Sequence, residues 1–340
     1  MMYELIIVLG LIAAFLAGQQ AQAIGVSLGL LDDPKAEAHK AHVSAVPQVG
    51  SVLLFAGLIA IGLAAFLYGP GEEFIPIIFC ASLVGALGII DDRLKLSWVS
   101  RFLALWLIIG VMLVLAPELL ITSLHWSWGQ TSDLGTIGGY AFTALCLVGL
   151  VIALNMMDGF NGGILSQGIV WSLAFAFLTT GDNTVVFLAI TATLFVILYF
   201  NMPSKLFMGD GGAYALGLVM GASAIMMYGS QTNATVYADT IVVWLALPVF
   251  DCLRVIFRRK LRGESPFLPQ RDHLHHLLMK SVHPQAGLVF SFLYTASASL
   301  AAILKPEASY IIVVVQLLTL TAVVTVTSSK PKAVPSNPAE

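Results

Sequence analysis

The chain has 340 residues, of which 58% are hydrophobic and only 10% are charged, and its mean hydropathy is +0.91. Soluble domains carry roughly 25% charged residues, so this composition excludes an ordinary soluble domain and predicts a polytopic membrane protein. The net charge of −3 is uninformative. The lipid bilayer is an expected partner, and nucleic acid is not. Because backbone groups in lipid must be hydrogen-bonded internally, we expect an all-α helical bundle.

Apolar windows of about 17 to 23 residues predict eleven membrane-spanning helices, with ten as the alternative count. The windows centre on residues 5–24, 49–68, 74–90, 99–116, 138–154, 164–180, 184–200, 212–229, 240–257, 286–304 and 309–327. They form one membrane-embedded domain, residues 1–327, and the proline-containing tail at 328–340 is predicted to be disordered.

The basic residues predict the orientation. If alternate loops share a side of the membrane, one side receives every lysine and arginine except Lys305. By the positive-inside rule this side is cytoplasmic, which places the N-terminus outside and the C-terminus inside. The cytoplasmic loops are then expected near residues 31–47, 91–98, 155–163, 201–212 and 258–285.

Two of these loops bring carboxylates to the end of an apolar run. Asp91 and Asp92 follow the third predicted span, beside Arg93 and Lys95. Such a pair can bind a hard divalent cation, take a proton, or simply remain solvated. The second is the glycine-rich stretch at 154–163, which carries Asn155, Asp158 and Asn161. Its glycines allow a sharp turn and close approach to a ligand, although a plain interhelical turn is the alternative.

The next loop contains Asn201, Lys205 and Asp210. Asp210 stands among glycines at the start of the eighth predicted span, where exposed backbone amides favour an anion or a phosphate. Mg²⁺ in proteins usually takes one or two carboxylates together with substrate phosphate oxygens. Asp210 is therefore a candidate metal ligand, and the alternative is a helix N-cap.

The longest polar loop carries a histidine cluster, formed by Arg271, Asp272, His273, His275 and His276. A zinc site would need better ligand spacing, and there is no nearby cysteine. Cationic and hydrogen-bonding groups of this kind fit phosphate binding better.

A basic run precedes that histidine cluster. Arg258, Arg259, Lys260 and Arg262 are interpreted as solvated charges near anionic lipid. Asp251 and Arg254 lie three residues apart, a spacing typical of an ion pair within one helix. Together, the loops predict carboxylates for a metal and cations for phosphate on one membrane face, which suits a water-soluble phosphorylated donor and a membrane-embedded acceptor.

Four motifs resemble those of the polyprenyl-phosphate N-acetylhexosamine-1-phosphate transferases. They are Gly-Ile-Ile-Asp-Asp at 88–92, Asn-Met-Met-Asp-Gly-Phe-Asn-Gly at 155–162, Phe-Met-Gly-Asp-Gly at 207–211 and Arg-Asp-His-Leu-His-His-Leu at 271–277. The resemblance implies transfer of an N-acetylhexosamine 1-phosphate, in this branch N-acetylglucosamine 1-phosphate, from a UDP-sugar to undecaprenyl phosphate. It also implies release of UMP, a requirement for Mg²⁺ or Mn²⁺, and a site on the cytoplasmic face of a bacterial inner membrane.

The resemblance also implies roles for individual residues. Asp210 and Asp158 are implied as metal ligands, and Asp91, Asp92 and Asp158 as catalytic residues. The implied substrate-binding residues are Asn155, Asn161, Asn201, Lys205, Arg271, His273, His275 and His276. Asn161 departs from the family, since many members have a second Asp there.

Two alternative functions stay open on the sequence alone. One is a phospho-N-acetylmuramoyl-pentapeptide transferase, although that branch carries a different histidine-rich signature. The other is a secondary transporter, although transporters place ionisable residues near mid-membrane and often show repeated halves. The sequence does not determine the oligomeric state, for which a homodimer is one alternative.

Overall fold

The computed structural model describes residues 2–32, 45–229, 235–265, 272–283 and 285–329, and within these residues the all-α expectation is confirmed. The helices are α1 (Met2–Gln19), α2 (Ala21–Leu28), α3 (Gly50–Tyr68), α4 (Ile75–Leu94), α5 (Trp98–Leu115), α6 (Gly135–Met157), α7 (Gly163–Leu178), α8 (Asp182–Asn201), α9 (Gly209–Gly229), α10 (Ala238–Leu261), α11 (Leu274–Ser281), α12 (Ala286–Leu304) and α13 (Ser309–Ser329). Within the described ranges, single 3₁₀ turns cover Glu72–Phe74, Pro117–Leu119 and Pro306–Ala308.

Two short antiparallel ribbons, which the sequence did not predict, join helices. Strand β1 (Leu31–Asp32) pairs with β2 (Val46–Pro47), and β3 (Ser123–His125) pairs with β4 (Thr131–Asp133). The second ribbon is a hairpin between α5 and α6, at the end of the bundle that we call the hairpin end.

The described residues contain ten helices that are long and apolar enough to cross a membrane, which is the alternative count and not eleven. The sixth predicted span is α7, which has only 16 residues. Nearly every side chain of α7 is buried, as expected for a helix that is hydrophobic all round. Its apolar composition therefore reflects packing against protein, so its length need not match the thickness of a bilayer.

Several predicted loops are partly helical. The pair Asp91 and Asp92 lies in the last turns of α4, and Asn155 lies in the last turn of α6. Helix α11 occupies part of the loop predicted at 258–285, and α13 continues into the predicted tail as far as Ser329. Most of the first predicted loop, residues 33–44, and the tail beyond Ser329 lie outside the described residues.

Helix α9 is the centre of the bundle and is almost entirely buried. Its many glycines and alanines let neighbouring helices approach closely, which is how helices associate when lipid removes the hydrophobic driving force. At Gly217, for instance, an added Cβ would lie 2.9 Å from the Cα of Val151 in α6. Because α4 and α6 end where α9 begins, this packing gathers their terminal polar residues at one end of the bundle. We call it the carboxylate end.

The hairpin end is joined by polar contacts. Asp239, at the start of α10, accepts hydrogen bonds from the backbone N–H and the hydroxyl of Ser127 in the hairpin. The hydroxyl of Tyr228, at the end of α9, accepts from the His125 N–H at 2.7 Å and donates to the Ser123 carbonyl at 2.8 Å. These contacts connect α9 and α10 to the hairpin between α5 and α6.

Candidate active site

The carboxylate of Asp92 meets the first turn of α9. Its Oδ2 accepts a hydrogen bond from the backbone N–H of Asp210 at 3.0 Å, so a residue of α4 caps the N-terminus of another helix. A negative charge is favoured there because the first N–H groups of a helix have no partner within the helix. The contact joins two residues that are 118 positions apart in the chain.

Gly88 permits this approach of α4 to α9. A Cβ added at Gly88 would lie 2.6 Å from the carbonyl carbon of Asp210, closer than real atoms come without a shift of the backbone. Gly88 lies one helical turn before Asp92, so the backbones cross next to the two carboxylates. The glycine of the 88–92 motif is therefore explained by packing.

Asp210 is oriented by the last turn of α6. The side-chain amide of Asn155 donates to Oδ1 of Asp210 at 2.7 Å. Asn155 was predicted to bind substrate, and the structure places its amide on a carboxylate of the protein. Both Asn155 and Asp210 are half-buried, so the pair stays partly accessible at the carboxylate end.

Asp158 follows the end of α6 and opens residues 158–162, which we call the hinge. Burial, and then the nearby carboxylates of Asp210 and Asp92, raise the pKa of Asp158 to about 8. Asp158 thus lies within electrostatic range of two other carboxylates, and we call Asp92, Asp158 and Asp210 the open cluster. Charged oxygen ligands that repel one another suit a hard divalent cation, which would supply the missing positive charge.

The open cluster does not by itself form a complete metal cage. Within the described part of the chain, no group of three His, Cys, Asp or Glu side chains is arranged to hold a metal ion. A cation bound there would need further ligands from water or substrate. Mg²⁺ is usually bound in this way.

Asp91 has surroundings different from those of its neighbour Asp92. Its side chain is buried, Oδ2 accepts from Nη1 of Arg101 at 2.8 Å, and Oδ1 accepts from the Leu96 N–H at 2.8 Å. Asp210 is also among its electrostatic neighbours. The structure therefore divides the predicted catalytic pair: Asp92 caps α9, whereas Asp91 is neutralised by a cation of α5.

Two asparagines fasten the hinge to the segment between α8 and α9. Asn201 accepts from the Gly162 N–H at 2.7 Å and donates to the Leu206 carbonyl at 3.0 Å. Asn161 donates to the hydroxyl of Ser204 at 2.7 Å. Both were predicted to bind substrate. The Asn161 amide also donates to the Met202 carbonyl at 3.3 Å, a contact that an ionised aspartate at position 161 could not make.

Two lysines lie at the rim of the carboxylate end. Lys205 was predicted to contact substrate, and its side chain is exposed. Lys95 closes α4 in a left-handed conformation, with φ of 51°, and its charge acts on both Asp92 and Asp210. Sequence reasoning did not select Lys95 as a site residue, although its position three residues after Asp92 was a usable signal.

The predicted histidine loop is anchored by α10. Asp251 accepts from His273 Nδ1 at 2.9 Å, from the Leu274 N–H at 3.2 Å and from Nη2 of Arg254 at 2.6 Å. Asp251 therefore caps α11 from a neighbouring helix. His273, predicted to bind substrate, is buried and uses Nδ1 in this anchor. Arg271 lies outside the described residues.

The interpretation of the basic run as solvated charges is wrong for Arg259. It is 2% exposed, and its Nη2 and Nε donate to the two oxygens of Asp272 at 2.6 and 3.2 Å. Burial alone would raise the pKa of Asp272, but the hydrogen bonds and charge of Arg259 hold it below its usual value. Asp251 and Arg254 likewise do more than pair within a helix, because Arg254 also donates to the Asp272 carbonyl at 2.7 Å.

His275 lies against the hinge. Its ring is 5.1 Å from that of Phe160 and 4.0 Å from that of His276, between centroids. It is 2% exposed, and neither ring nitrogen has a hydrogen-bond partner among the residues that the structure describes. Burial, followed by the charges of His276 and His273, lowers the pKa of His275 well below its usual range, so the ring is neutral. His276, half-buried, is nearer to solvent.

The comparisons with known proteins agree with the motifs. The model of Glycosyl transferase family 4 matches residues 74–228, which include every residue of the open cluster and exclude α10 and α11. An undecaprenyl-phosphate alpha-N-acetylglucosaminyl 1-phosphate transferase of Yersinia pestis is 28% identical over 275 residues, covering 77% of this chain and 72% of the relative. A protein of Bacillus subtilis named as a probable undecaprenyl-phosphate N-acetylglucosaminyl 1-phosphate transferase is 28% identical over 268 residues, covering 75% and 71%. The predicted family resemblance is confirmed.

Proposed function

We propose that this chain, a relative of the family 4 glycosyl transferases, transfers N-acetylglucosamine 1-phosphate from UDP-N-acetylglucosamine to undecaprenyl phosphate and releases UMP. The observation that carries the proposal is the convergence of Asp92, Asp158 and Asp210 at the end of a bundle of apolar helices. Such a site lies where a water-soluble diphosphate and a lipid phosphate can meet. The names of the two relatives support the choice of sugar and acceptor.

The open cluster fits Mg²⁺, with Mn²⁺ as the alternative. Asp210 and Asp158 are the residues that would hold the cation, because both carboxylates lie in a cluster short of positive charge. A bound cation would neutralise charge on the donor diphosphate as the bond to UMP breaks. Asn155 keeps Oδ1 of Asp210 in place through its 2.7 Å hydrogen bond.

Asp92 is the residue proposed to orient the acceptor, or to take its proton. Its carboxylate is fixed by the first turn of α9, and Asp92 and Asp210 are both half-buried. An oxygen of the lipid phosphate then forms a bond to the sugar-bearing phosphorus of the donor. The bond from that phosphorus to the bridging oxygen breaks, and its electron pair leaves with UMP.

Cations at the rim are proposed to contact donor phosphate. Lys95 and Lys205 have exposed side chains at the carboxylate end, and Arg271 belongs in sequence to the loop at 258–285, which carries the histidine cluster. His276 is half-buried and can donate a hydrogen bond. The long acceptor tail would lie among apolar spans, since helices such as α5 and α13 expose large hydrophobic side chains.

A purified-enzyme assay tests the function. The protein is incubated with UDP-N-acetylglucosamine, undecaprenyl phosphate and Mg²⁺, and UMP and the lipid-linked sugar are measured. Matched reactions contain UDP-N-acetylmuramoyl-pentapeptide as the donor, or no acceptor. Release of UMP only with UDP-N-acetylglucosamine and acceptor is expected. Turnover of the pentapeptide donor alone, or none with either donor, would refute the proposal.

The carboxylate end is proposed to face the cytoplasm of a bacterial inner membrane, where UDP-sugars are made. The test uses a variant in which Cys80, Cys146 and Cys252 are replaced. A single cysteine at Ser265 should react with a membrane-impermeant thiol reagent only after the cells are opened. A cysteine at Ser132, in the hairpin, should react in intact spheroplasts. The reverse pattern would contradict the orientation.

A further inference from the structure

The α10 helix contains a buried charge arrangement that the transfer chemistry does not use. Asp251 and Arg259 lie on α10, eight residues apart, and each is bound to the segment that opens α11. Asp251 caps α11 at the Leu274 N–H, and Arg259 holds Asp272 through two hydrogen bonds. Buried Arg and Asp side chains are rare unless paired, so these contacts fix where α11 begins. We call the pair of Arg259 and Asp272 the latch.

Helix α11 in turn contacts the hinge. His275 is in its first turn, and a Cβ added at Gly159 would overlap Nε2 of the His275 ring. Phe160, the next hinge residue, lies beside the same ring. On the other side, the Cβ of His275 would lie 3.5 Å from a Cβ at Gly287 in α12. His275 thus lies between the hinge and α12, and its tight side is the one that faces Gly159.

The hinge begins with Asp158 of the open cluster. A displacement of His275 would therefore alter the contact with Gly159, the residue next to the proposed metal ligand Asp158. The neutral, buried ring acts here by its shape, since neither nitrogen has a hydrogen-bond partner in the described structure. Lys260, which follows Arg259 in the same helix turn, is exposed.

We infer that the latch is a positioning device for the transfer reaction: Arg259 and Asp272 fix α11, and α11 holds His275 against Gly159 so that Asp158 keeps its place in the open cluster. Arg259 and Asp272 are positioning residues that touch neither substrate nor reacting atoms. The inference rests on the proposed function only for its effect on turnover, because the effect on the hinge is a property of the protein alone.

The test is Arg259→Ala in the full-length protein in detergent, with Lys260→Ala as the matched control. Amide hydrogen exchange is followed by mass spectrometry. Loss of one buried charge-assisted contact should speed exchange at least ~10-fold in residues 272–281 and in the hinge. Exchange in the hairpin end, residues 121–134, should be unchanged. Turnover with UDP-N-acetylglucosamine should fall mainly in kcat, and Arg259→Lys should recover part of both effects because it restores the charge without the planar fork.

Three results would overturn the inference. Exchange in the hinge as slow as in the unsubstituted protein would show that α11 does not hold it. Faster exchange throughout the chain would show that Arg259 serves general stability. Equal effects of Lys260→Ala would show that burial in the latch is irrelevant. Absence of turnover in the unsubstituted protein would refute the proposed function alone, since the exchange measurements still decide whether the latch controls the hinge.

Discussion

Two acidic groups at the carboxylate end use the same structural device in opposite electrostatic settings. Asp92 caps α9 and Asp251 caps α11, each from a different helix. Asp251 is also bound to Arg254, which compensates its charge, and accepts a hydrogen bond from His273. Asp92 instead lies within electrostatic range of Asp158 and Asp210. A buried carboxylate whose charge is compensated stabilises the fold, whereas a cluster that lacks positive charge is poised to take it from a ligand.

The largest effect is expected from Asp210→Asn. The amide keeps the shape and can retain the contact to Asn155, but it removes the charge that holds a hard cation. Since a bound metal supplies several kcal/mol of charge stabilisation, turnover should fall at least ~100-fold. The apparent unfolding temperature should not fall, because a repulsion is removed. Near-normal turnover at ordinary Mg²⁺ would contradict the role of Asp210.

Asp251→Asn should show the opposite pattern. Replacing the acid of a buried ion pair leaves the charge of Arg254 uncompensated, which costs about 3 kcal/mol. The apparent unfolding temperature in detergent should drop clearly, and turnover should fall with it. If Asp251→Asn unfolded at the same temperature as the original protein, the contrast between the two acidic groups would be wrong.

Gly88→Ala tests the crossing that assembles the open cluster. The new methyl group would press on the backbone of Asp210, and overpacking of this kind costs about 1 to 3 kcal/mol. We expect turnover to fall about 10-fold, because 1.4 kcal/mol of lost positioning corresponds to a factor of ten. The control is Gly110→Ala in α5, where an added Cβ meets nothing within 4 Å. Equal turnover of the two variants would show that the crossing is not tightly packed.

The smallest effect concerns acid pH. The pKa of His275 in the folded protein lies well below the ordinary value of 6.5, so in acid the unfolded chain binds a proton that the folded chain does not. Stability must then fall as the pH drops below 6.5. The unfolding temperature of His275→Gln should fall less between pH 7 and pH 5 than that of the original protein. Identical pH profiles would mean that His275 is not kept neutral by burial.

Local composition was enough to predict the general architecture. Long apolar windows determine membrane helices because each window reports only its own transfer into lipid. The same local character limits the prediction of α7: its apolar residues are buried in protein, and a window cannot distinguish protein from lipid. The short ribbons β1–β2 and β3–β4 escaped prediction since two- and three-residue strands carry almost no periodic signal.

The sequence by itself determined which residues could carry the chemistry, because Asp91, Asp92, Asp158 and Asp210 stand in polar motifs at the ends of apolar runs. Only the tertiary structure decided how they are used. The contact between Asp92 and Asp210 spans 118 positions, and it depends on a helix crossing that no local pattern encodes. The same holds for Arg259. Its basic neighbours in the sequence predicted a solvated charge, but the fold places Asp272 beside it, so Arg259 is buried in an ion pair.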